Sequence, residues 1–105
     1  VHLNWTPNAG REMGLPHYGV VVSCKDFNDN IPRVIVAPIT SKERKEFGGL
    51  RVAVFSTNSK VKGFVCLDHI RAIDPQARNL NTTGGEIAPQ CIQDCKEALQ
   101  KIFSL

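Results

Sequence analysis

The sequence predicts a small α+β protein, mainly β, in which a strongly curved antiparallel sheet or barrel packs against one C-terminal helix. Five or six short apolar segments follow one another at close spacing, with turn residues between them. The last segment instead has apolar residues at helical spacing after Pro89. With 105 residues, of which 42% are hydrophobic, the chain has the size and composition of a single globular domain covering residues 1–105.

Three strands are predicted in the first half of the chain. Residues 1–6 alternate between apolar and polar, which is typical of a half-buried strand. After a loop rich in Gly and Pro, residues 19–24 are apolar and largely β-branched, and they form the next predicted strand. Turn residues at 26–32 then return the chain in a hairpin-like connection. A further buried strand over 33–37 is expected to end at Pro38.

Two further strands and the helix are predicted in the second half. Segments 51–55 and 62–71 have the composition of strands, and Asp68 falls inside the second of them. A short helix is predicted over 74–78, because an Asp-Pro pair is a good N-cap and first turn. The long helix that Pro89 begins has an apolar stripe made of Ile92, Cys95, Leu99 and Ile102.

Composition and charge exclude several classes of protein. The net charge of +3, from 13 basic and 10 acidic side chains, is a mild tilt towards a polyanionic partner and is also ordinary for a soluble protein. No apolar run approaches the roughly 20 residues that a transmembrane helix needs. No segment resembles a signal peptide. We therefore expect a cytoplasmic protein without membrane contact.

The four cysteines lack the spacing of a metal site. The chain has no C-x-x-C pair, and Cys91 and Cys95 stand four residues apart with no matching histidine cluster. Because the cysteines are placed among apolar residues, we expect them to be small buried side chains in a reducing compartment. The sequence implies no metal and no cofactor.

Several polar side chains are predicted at the ends of strands or in the loops beyond them, where small barrels place their sites. Most of them also have an ordinary interpretation as solvated loop residues or caps. Asp68 fits that interpretation less well, because a carboxylate inside an apolar strand needs a partner. From the residues alone, the sequence predicts a polar pocket in a small β protein. The candidates in chain order are Arg11, Glu12, His17, Thr40, Ser41, Asp68 and His69.

Taken in order, several motifs resemble the toxin family of MazF, PemK and Kid. Those of the first half are Trp5-x-Pro7-x-x-Gly10-x-Glu12, Gly19-Val20-Val21-Val22-Ser23, Phe27-Asn28 and Val36-Ala37-Pro38-Ile39-Thr40. Those of the second half are Gly63-Phe64-Val65-x-x-Asp68-x-Ile70-Arg71-x-Ile73-Asp74-x-x-Ala77-Arg78 and Gly85-Glu86-Ile87-Ala88-Pro89. The resemblance covers nearly the whole chain. Since family members usually begin with a few more residues, the start of the first strand is expected to be missing here.

The resemblance implies a fold, a function and partners. The fold is an SH3-like or CcdB-like barrel, usually homodimeric, and the function is that of the toxin in a bacterial type II toxin–antitoxin system. Most members are endoribonucleases that cut single-stranded RNA without a metal and so inhibit growth. The implied partners are the RNA, a second copy of the chain, and an antitoxin whose acidic or apolar tail lies across the site. Two alternatives stay open: a catalytically weakened member that binds antitoxin or nucleic acid, and a toxin that inhibits DNA gyrase.

The resemblance also carries over to individual residues. Glu12 matches the family's loop glutamate, Thr40 its strand-end threonine, and Asp68 the carboxylate that some members use in a later strand. Where most members have Arg-Pro, this chain has His17-Tyr18, and where some have an arginine two residues before the carboxylate, it has Cys66. Both departures remove a guanidinium that would hold or protonate a phosphate.

Cleavage without a metal needs a base for the 2′-hydroxyl proton, a donor or cation for the phosphate charge, and an acid for the leaving 5′-oxygen. His17 is the candidate acid or base, because an unperturbed imidazole has both forms near neutral pH. Thr40 would donate a hydrogen bond to a non-bridging oxygen, and Asp68 would orient a group or act as the base. Trp5 is expected in the core. The binding candidates are Arg11 as a phosphate clamp, Tyr18 as a stacking platform for a base, and Glu12, Ser41 and His69.

Overall fold

An antiparallel sheet of six strands is the main element of the described part of the chain. The computed structural model describes residues 1–5, 17–41, 51–54 and 61–104. In chain order, the strands are β1 (His2–Leu3), β2 (His17–Val21), β3 (Val34–Thr40), β4 (Arg51–Ala53), β5 (Phe64–Cys66) and β6 (Arg71–Ile73). The helices are α1 (Lys25–Asn30) and α2 (Pro89–Phe103), and a 3₁₀ turn (Leu67–His69) connects β5 to β6.

The strand β3 is at the centre of the sheet. It pairs with β2, its first three residues pair with β6, and its last two pair with β5. The strand order is β1-β2-β3-β5-β4, with β6 beside β3. Within the described residues this path does not return from β4 to β1, so the sheet is not closed. The predicted class, mainly β with a C-terminal helix, is confirmed.

Both faces of the sheet are apolar over part of their area. Successive side chains of a strand point to opposite faces. In β3, Ala37 and Ile39 belong to one buried cluster, whereas Val34 and Val36 belong to another. The first cluster includes residues of α2, and we call its side of the sheet the helix face. We call the opposite side the second face. In β3 it carries Val34, Val36, Pro38 and Thr40.

The helix face is closed by α2. Three small side chains of this helix, Cys91, Cys95 and Ala98, are buried against the sheet. The thiol of Cys91 donates a hydrogen bond to the carbonyl of Ala53 in β4 at 3.4 Å. Small side chains allow the helix to approach the strands closely, and burial of their apolar area stabilises the packing. The strand residues of this cluster include Val20, Ala37, Val52 and Val65.

The second face has its own buried cluster, built on β1. Leu3 and Trp5 are each 1% exposed, which confirms that they point inward as their alternation predicts. They pack with Val36 and Ile73. The backbone of Gly19 passes so close to the indole that a Cβ atom there would lie 2.8 Å from Cζ2 of Trp5. Position 19 therefore requires glycine for steric reasons.

Two predictions around β3 are wrong. The strand does not end at Pro38 but continues to Thr40. Pro38 lies where β3 changes partner from β6 to β5, and a missing N–H is tolerated at such a position. The turn residues before β3 form the helix α1 instead of a hairpin-like connection. There the hydroxyl of Ser23 donates to Oδ1 of Asn28 at 2.5 Å and accepts the N–H of Ile35 at 3.0 Å, which fixes α1 against β3.

Predictions for residues 62–78 also need correction. The single strand expected over 62–71 is two strands, β5 and β6, separated by the 3₁₀ turn, so Asp68 lies in a turn. The helix expected over 74–78 is a series of hydrogen-bonded turns. Oδ1 of Asp74 accepts the N–H of Gln76 at 2.9 Å, and Asn79 follows with a left-handed φ of 51°. Asn is one of the few residues that adopts this conformation readily, and it stops the turns from becoming a helix.

The helix α2 begins at Pro89, as predicted, but buries a different stripe. Ile92 was expected to face the sheet and is instead 40% exposed, whereas Cys91 and Ala98 are buried with Cys95. Leu99 and Ile102 are partly buried, as predicted. None of the described helices is long and apolar enough to cross a membrane.

Candidate active site on the second face

His17 and Thr40 lie opposite each other on the second face. His17, predicted in a loop, is the first residue of β2. Gly19 pairs with Pro38, and continuing this antiparallel register by two residues places His17 opposite Thr40. Cross-strand partners have Cβ atoms about 4.5–5.5 Å apart and point to the same face. The sheet therefore brings the two predicted catalytic residues together.

Trp5 contacts both the ring and the backbone of His17. The imidazole stacks on the indole with ring centroids 5.1 Å apart and an angle of 22° between the ring planes. The indole Nε1–H also donates a hydrogen bond to the backbone carbonyl of His17 at 3.2 Å. The backbone carbonyl of Trp5 in turn accepts a hydrogen bond from Nη1 of Arg71 at 2.9 Å. Trp5 thus belongs to the core, as predicted, and contacts a candidate catalytic ring at the same time.

Cys66 and Arg51 lie on the same face of the sheet, two residues along β5 and β4 from Phe64 and Ala53, which are level with Thr40. Thr40 pairs with Phe64, so Cys66, two residues further on, lies on the same face as Thr40. Arg51 of β4 is the cross-strand partner of Cys66. The four side chains share the second face, and we call them the site row: His17, Thr40, Cys66 and Arg51.

The thiol of Cys66 is neutral at physiological pH. Burial raises its pKa to about 11, although the positive charge of Arg51 and a hydrogen bond from the Thr40 backbone favour the thiolate. The carboxylate of Asp68 acts in the opposite direction and raises the pKa further. A neutral thiol leaves the charge of Arg51 in place, so the site row retains a permanent cation.

The side chains of Asp68 and His69 lie close together in the 3₁₀ turn that follows β5. Nε2 of His69 lies 3.4 Å from Oδ2 of Asp68, and the two side chains are 26% and 24% exposed. Asp68 is close enough to the site row to act on the thiol of Cys66. The turn therefore brings a carboxylate and a second imidazole to the Cys66 end of the row.

Tyr18 and Ser41 are not brought to the row. Tyr18 points to the helix face, because it follows His17 in β2, and it packs edge-on against the ring of His2. It borders a small cavity of about 40 Å³. Ser41 follows the end of β3 and is exposed. Arg11 and Glu12 lie outside the described residues.

Arg51 is a candidate site residue that the sequence analysis missed. The period of two in residues 51–55 already placed Arg51 opposite in direction to Val52 and Val54. The alternation did not indicate which strand would lie beside Arg51, because strand order cannot be predicted from local alternation. The register of β4 on β5 supplies that information.

A larger cavity, of about 470 Å³, lies away from the site row. It lies between β2 and α2, and Val20, Val22, Cys95 and Leu99 are among its lining residues. Its walls on the strand side belong to the helix face. Of the predicted site residues that the structure describes, none lines it.

The site row combines the groups that phosphodiester chemistry needs. An imidazole can exchange a proton near neutral pH, a hydroxyl can donate a hydrogen bond, and a guanidinium carries a permanent positive charge. Among the described residues, no group of three His, Cys, Asp or Glu side chains could hold a metal ion. The described cysteines are all free thiols.

Comparison with protein families decides the identity of the fold. The model of the "PemK-like, MazF-like toxin of type II toxin-antitoxin system" matches residues 1–103. The chain belongs to this family. The match includes every residue of the site row, and it confirms the resemblance seen in the motifs. A search of curated protein sequences finds no match.

Solved structures of the MazF fold are similar to the chain along most of its length. A crystal structure of MazF from Deinococcus radiodurans aligns with a TM-score of 0.80 and 23% identity, over 99% of this chain and 91% of that one. A MazE–MazF crystal structure from the same organism aligns with a TM-score of 0.72 and 22% identity, over 99% and 91%. An endoribonuclease from a mycobacterial species aligns with a TM-score of 0.71 and 19% identity, over 99% and 88%. At these identities the likeness establishes a shared fold.

Proposed function

We propose that this member of the MazF-like toxin family is a metal-independent endoribonuclease that cleaves single-stranded RNA. The observation that carries the proposal is that one face of the sheet holds His17 and Thr40 on the adjacent strands β2 and β3, with Cys66 and Arg51 on β5 and β4 beyond them. A neighbour of the same fold is named as an endoribonuclease, which supports the same reaction class.

The proposed reaction is an internal transesterification. The 2′-oxygen of the RNA attacks the adjacent phosphorus, the bond to the 5′-oxygen breaks, and the products carry a 2′,3′-cyclic phosphate and a 5′-hydroxyl. A base must accept the proton of the 2′-hydroxyl, and an acid must give a proton to the leaving 5′-oxygen. The transition state gains negative charge on the non-bridging oxygens, which fixed donors and cations stabilise.

Each residue of the site has a proposed role in this reaction. His17 binds the phosphate as an imidazolium, since its position in the family is usually occupied by a cation, and this imidazolium can give its proton to the leaving 5′-oxygen. Thr40 donates a hydrogen bond to a non-bridging oxygen, and Arg51 supplies the permanent charge that neither position 17 nor position 66 provides. Asp68, paired with His69, orients the attacking hydroxyl or accepts its proton.

The proposed partners are an antitoxin and a second copy of the chain. Similar structures contain MazE together with MazF, which supports an antitoxin as the natural inhibitor. A homodimer is expected as well, and light scattering at low micromolar concentration should give a mass near twice 11.6 kDa. The proposed location is the bacterial cytoplasm, where mRNA is available.

Cleavage of a long single-stranded RNA by the purified protein in EDTA tests the proposal directly. We expect fragments that end in cyclic phosphates, and much less cleavage with the His17→Ala variant. Intact RNA at every protein concentration would reject the endoribonuclease. A gel-shift assay with uncleaved RNA and a DNA gyrase supercoiling assay, run on the same preparation, would then identify a binding protein or a gyrase inhibitor.

A further inference from the structure

Trp5 is held more rigidly than core packing alone requires. Its side chain is almost completely buried, at 1% exposure. Its backbone carbonyl accepts a hydrogen bond from Arg71 of β6, and its indole N–H donates to the carbonyl of His17 in β2. The edge of the ring lies against the backbone of Gly19. Trp5 is therefore tied to two strands and cannot rotate without breaking at least one of these contacts.

The stack on Trp5 restricts the imidazole of His17. With 5.1 Å between ring centroids and 22° between planes, one face of the imidazole is covered by the indole. The ring nitrogens lie in the plane of the imidazole, so the stack allows them to point only along directions parallel to the indole surface. Aromatic stacking of this kind contributes about 0.5–1.5 kcal/mol beyond the area that it buries. The plane of the imidazole is thus set before any ligand binds.

The hydrogen bond to the His17 carbonyl adds a second constraint. It adds to the pairing of His17 with Leu3 in β1, which already holds the backbone at the start of β2. A side chain at a strand end is free to move unless packing or hydrogen bonds hold it. At position 17 both the ring and the backbone are held by one residue.

We propose that Trp5 is a positioning residue, which sets the plane of the His17 imidazole and the backbone of His17 on the face of the sheet that carries the site row. This inference rests on the proposed function, because orientation matters only if His17 contacts RNA. Trp5 does not contact substrate in this proposal; its effect passes entirely through His17. The role is separate from its contribution to the buried cluster of Leu3, Val36 and Ile73.

A double-mutant cycle on RNA cleavage separates positioning from packing. The cycle compares Trp5→Leu in the wild-type background and in the His17→Ala background, by kcat/KM with enzyme in excess for the slow variants. We expect Trp5→Leu to lower kcat/KM by about three- to tenfold when His17 is present, the loss that corresponds to one aromatic stack. We expect no further loss when His17 is already alanine. An equal loss in both backgrounds would overturn the proposal.

Two variants keep the test clear if Trp5→Leu folds poorly. Trp5→Phe retains an aromatic ring under the imidazole and loses the indole N–H, so it should recover part of the lost activity. Ile73→Ala, in the same buried cluster and 4% exposed, is the packing control. It should lower the melting temperature and have the same effect on cleavage with or without His17. If Ile73→Ala instead shows the coupling of Trp5→Leu, packing explains both and the positioning role is rejected.

A proton NMR measurement distinguishes failure of this proposal from failure of the proposed function. Ring protons above an indole move upfield through its ring current, so the His17 imidazole protons should be upfield in the wild type and should shift back in Trp5→Leu. If the wild type cleaves no RNA, the endoribonuclease is rejected while the upfield shift still supports the fixed orientation. Imidazole protons that do not change in Trp5→Leu would overturn the positioning by Trp5, whatever the cleavage assay gives.

Discussion

The helix face and the second face are built from the same strands but hold different chemistry. On the helix face, alternate residues of β2 to β5 pack against small side chains of α2, and the cluster is apolar throughout. On the second face, one part is the cluster around Trp5 and the other part is the site row. No polar or charged side chain among the described residues is fully buried. The site row therefore lies on the face of the sheet that α2 does not cover.

The two faces of this small sheet contribute differently to stability and to function. A side chain on the helix face is surrounded by the protein, so a change there should alter folding. Of the site row, His17, Thr40 and Arg51 are only partly buried, so a change there should alter chemistry with less effect on folding. The connection between the two is Trp5, which belongs to a core cluster and contacts the site row.

The largest effect is expected from the residue that begins the site row. His17→Ala should lower RNA cleavage by about 10²- to 10⁴-fold, the usual contribution of a proton-transferring or charge-stabilising group. The melting temperature should fall by about 4–8 °C for each kcal/mol of stacking on Trp5 that is lost, with no larger effect because His17 is only partly buried. Cleavage of a fluorogenic RNA and thermal unfolding on the same samples measure both.

A second substitution at this position separates the two roles of the imidazole. His17→Arg should preserve or raise activity and flatten the pH profile if His17 acts as the cation, because a guanidinium stays charged. It should abolish activity if His17 acts as the base. Equal cleavage by wild type, His17→Ala and His17→Arg at every pH would remove His17 from the site.

The next largest effect is expected beside Thr40, where the backbone itself is constrained. Gly63 has a φ of 136°, and a Cβ atom there would collide with the carbonyl oxygen of Thr40. Gly63→Ala should therefore reduce the free energy of unfolding by about 3 kcal/mol and displace Thr40. Gly84→Ala is the matched control, because Gly84 also has a positive φ, of 76°, but a Cβ there meets nothing within 4 Å. Gly84→Ala should lower the free energy of unfolding by about 1 kcal/mol, measured by urea unfolding. Equal decreases for the two variants would mean that the contact with Thr40 is unimportant.

A smaller effect is expected from the cation that the sequence analysis missed. Arg51→Gln should weaken RNA affinity by about tenfold, the scale of one charge-assisted hydrogen bond. It should also reduce the slope of log affinity against log salt by about 0.7, as expected for one lost contact with a single strand. Arg33→Gln is the control, since Arg33 is exposed and precedes the opposite end of β3 from Thr40. Fluorescence anisotropy with a 2′-O-methyl RNA measures both, and the same affinity for the two variants would exclude Arg51.

The smallest effect is a difference in reactivity among the cysteines. Cys24 is exposed, whereas Cys66, Cys91 and Cys95 are buried. Burial raises the pKa of Cys66 to about 11 and, with the neighbouring Cys91, that of Cys95 to about 12. Native protein at pH 7 should therefore react rapidly with a thiol reagent at Cys24 alone. Rapid labelling of two or more thiols, counted by mass spectrometry, would contradict the packing of the buried ones.

The same pKa shifts predict an alkaline weakness. The folded chain holds these thiol protons to higher pH than the unfolded chain, whose thiols titrate near the ordinary value of 9.0. Above pH 9 the folded state therefore binds more protons than the unfolded state, so stability falls as pH rises towards about 11. Cys66→Ala should lessen this decline. Urea midpoints at pH 8 and pH 10 for both proteins measure it.

Local sequence patterns predicted which strands and helices form better than they predicted where those elements end. The alternation of residues 1–6 correctly placed Leu3 and Trp5 inside, and Pro89 correctly marked the start of α2. Pro38 was read as the end of a strand because a proline lacks an N–H, yet β3 passes through it where the pairing changes. Ile92 was assigned to the buried stripe by hydrophobicity, yet the sheet selects the smaller Cys91 and Ala98. In both cases the neighbouring element, and not the local residue, decided the outcome.

The predicted burial of Cys24 was wrong for a related reason. It follows an apolar strand and was expected to be buried, but β2 ends at Val21 and Cys24 is the N-cap of α1, where it is exposed. The motif residues Ser23 and Asn28 set this boundary through their hydrogen bonds. A prediction from hydrophobicity alone contains no information on such contacts.

The sequence alone was enough to predict the class of fold and the family, and to give His17, Thr40 and Asp68 as candidate site residues, because alternation, helix signals and ordered motifs are local properties of the chain. The tertiary structure decided which of these residues meet. Strand register brings His17 opposite Thr40 and Arg51 opposite Cys66, turns Tyr18 to the other face and places the indole of Trp5 under the imidazole. The physical reason is that register depends on hydrogen bonds and packing between segments far apart in the chain, and a shift of one residue would send each of these side chains to the other face.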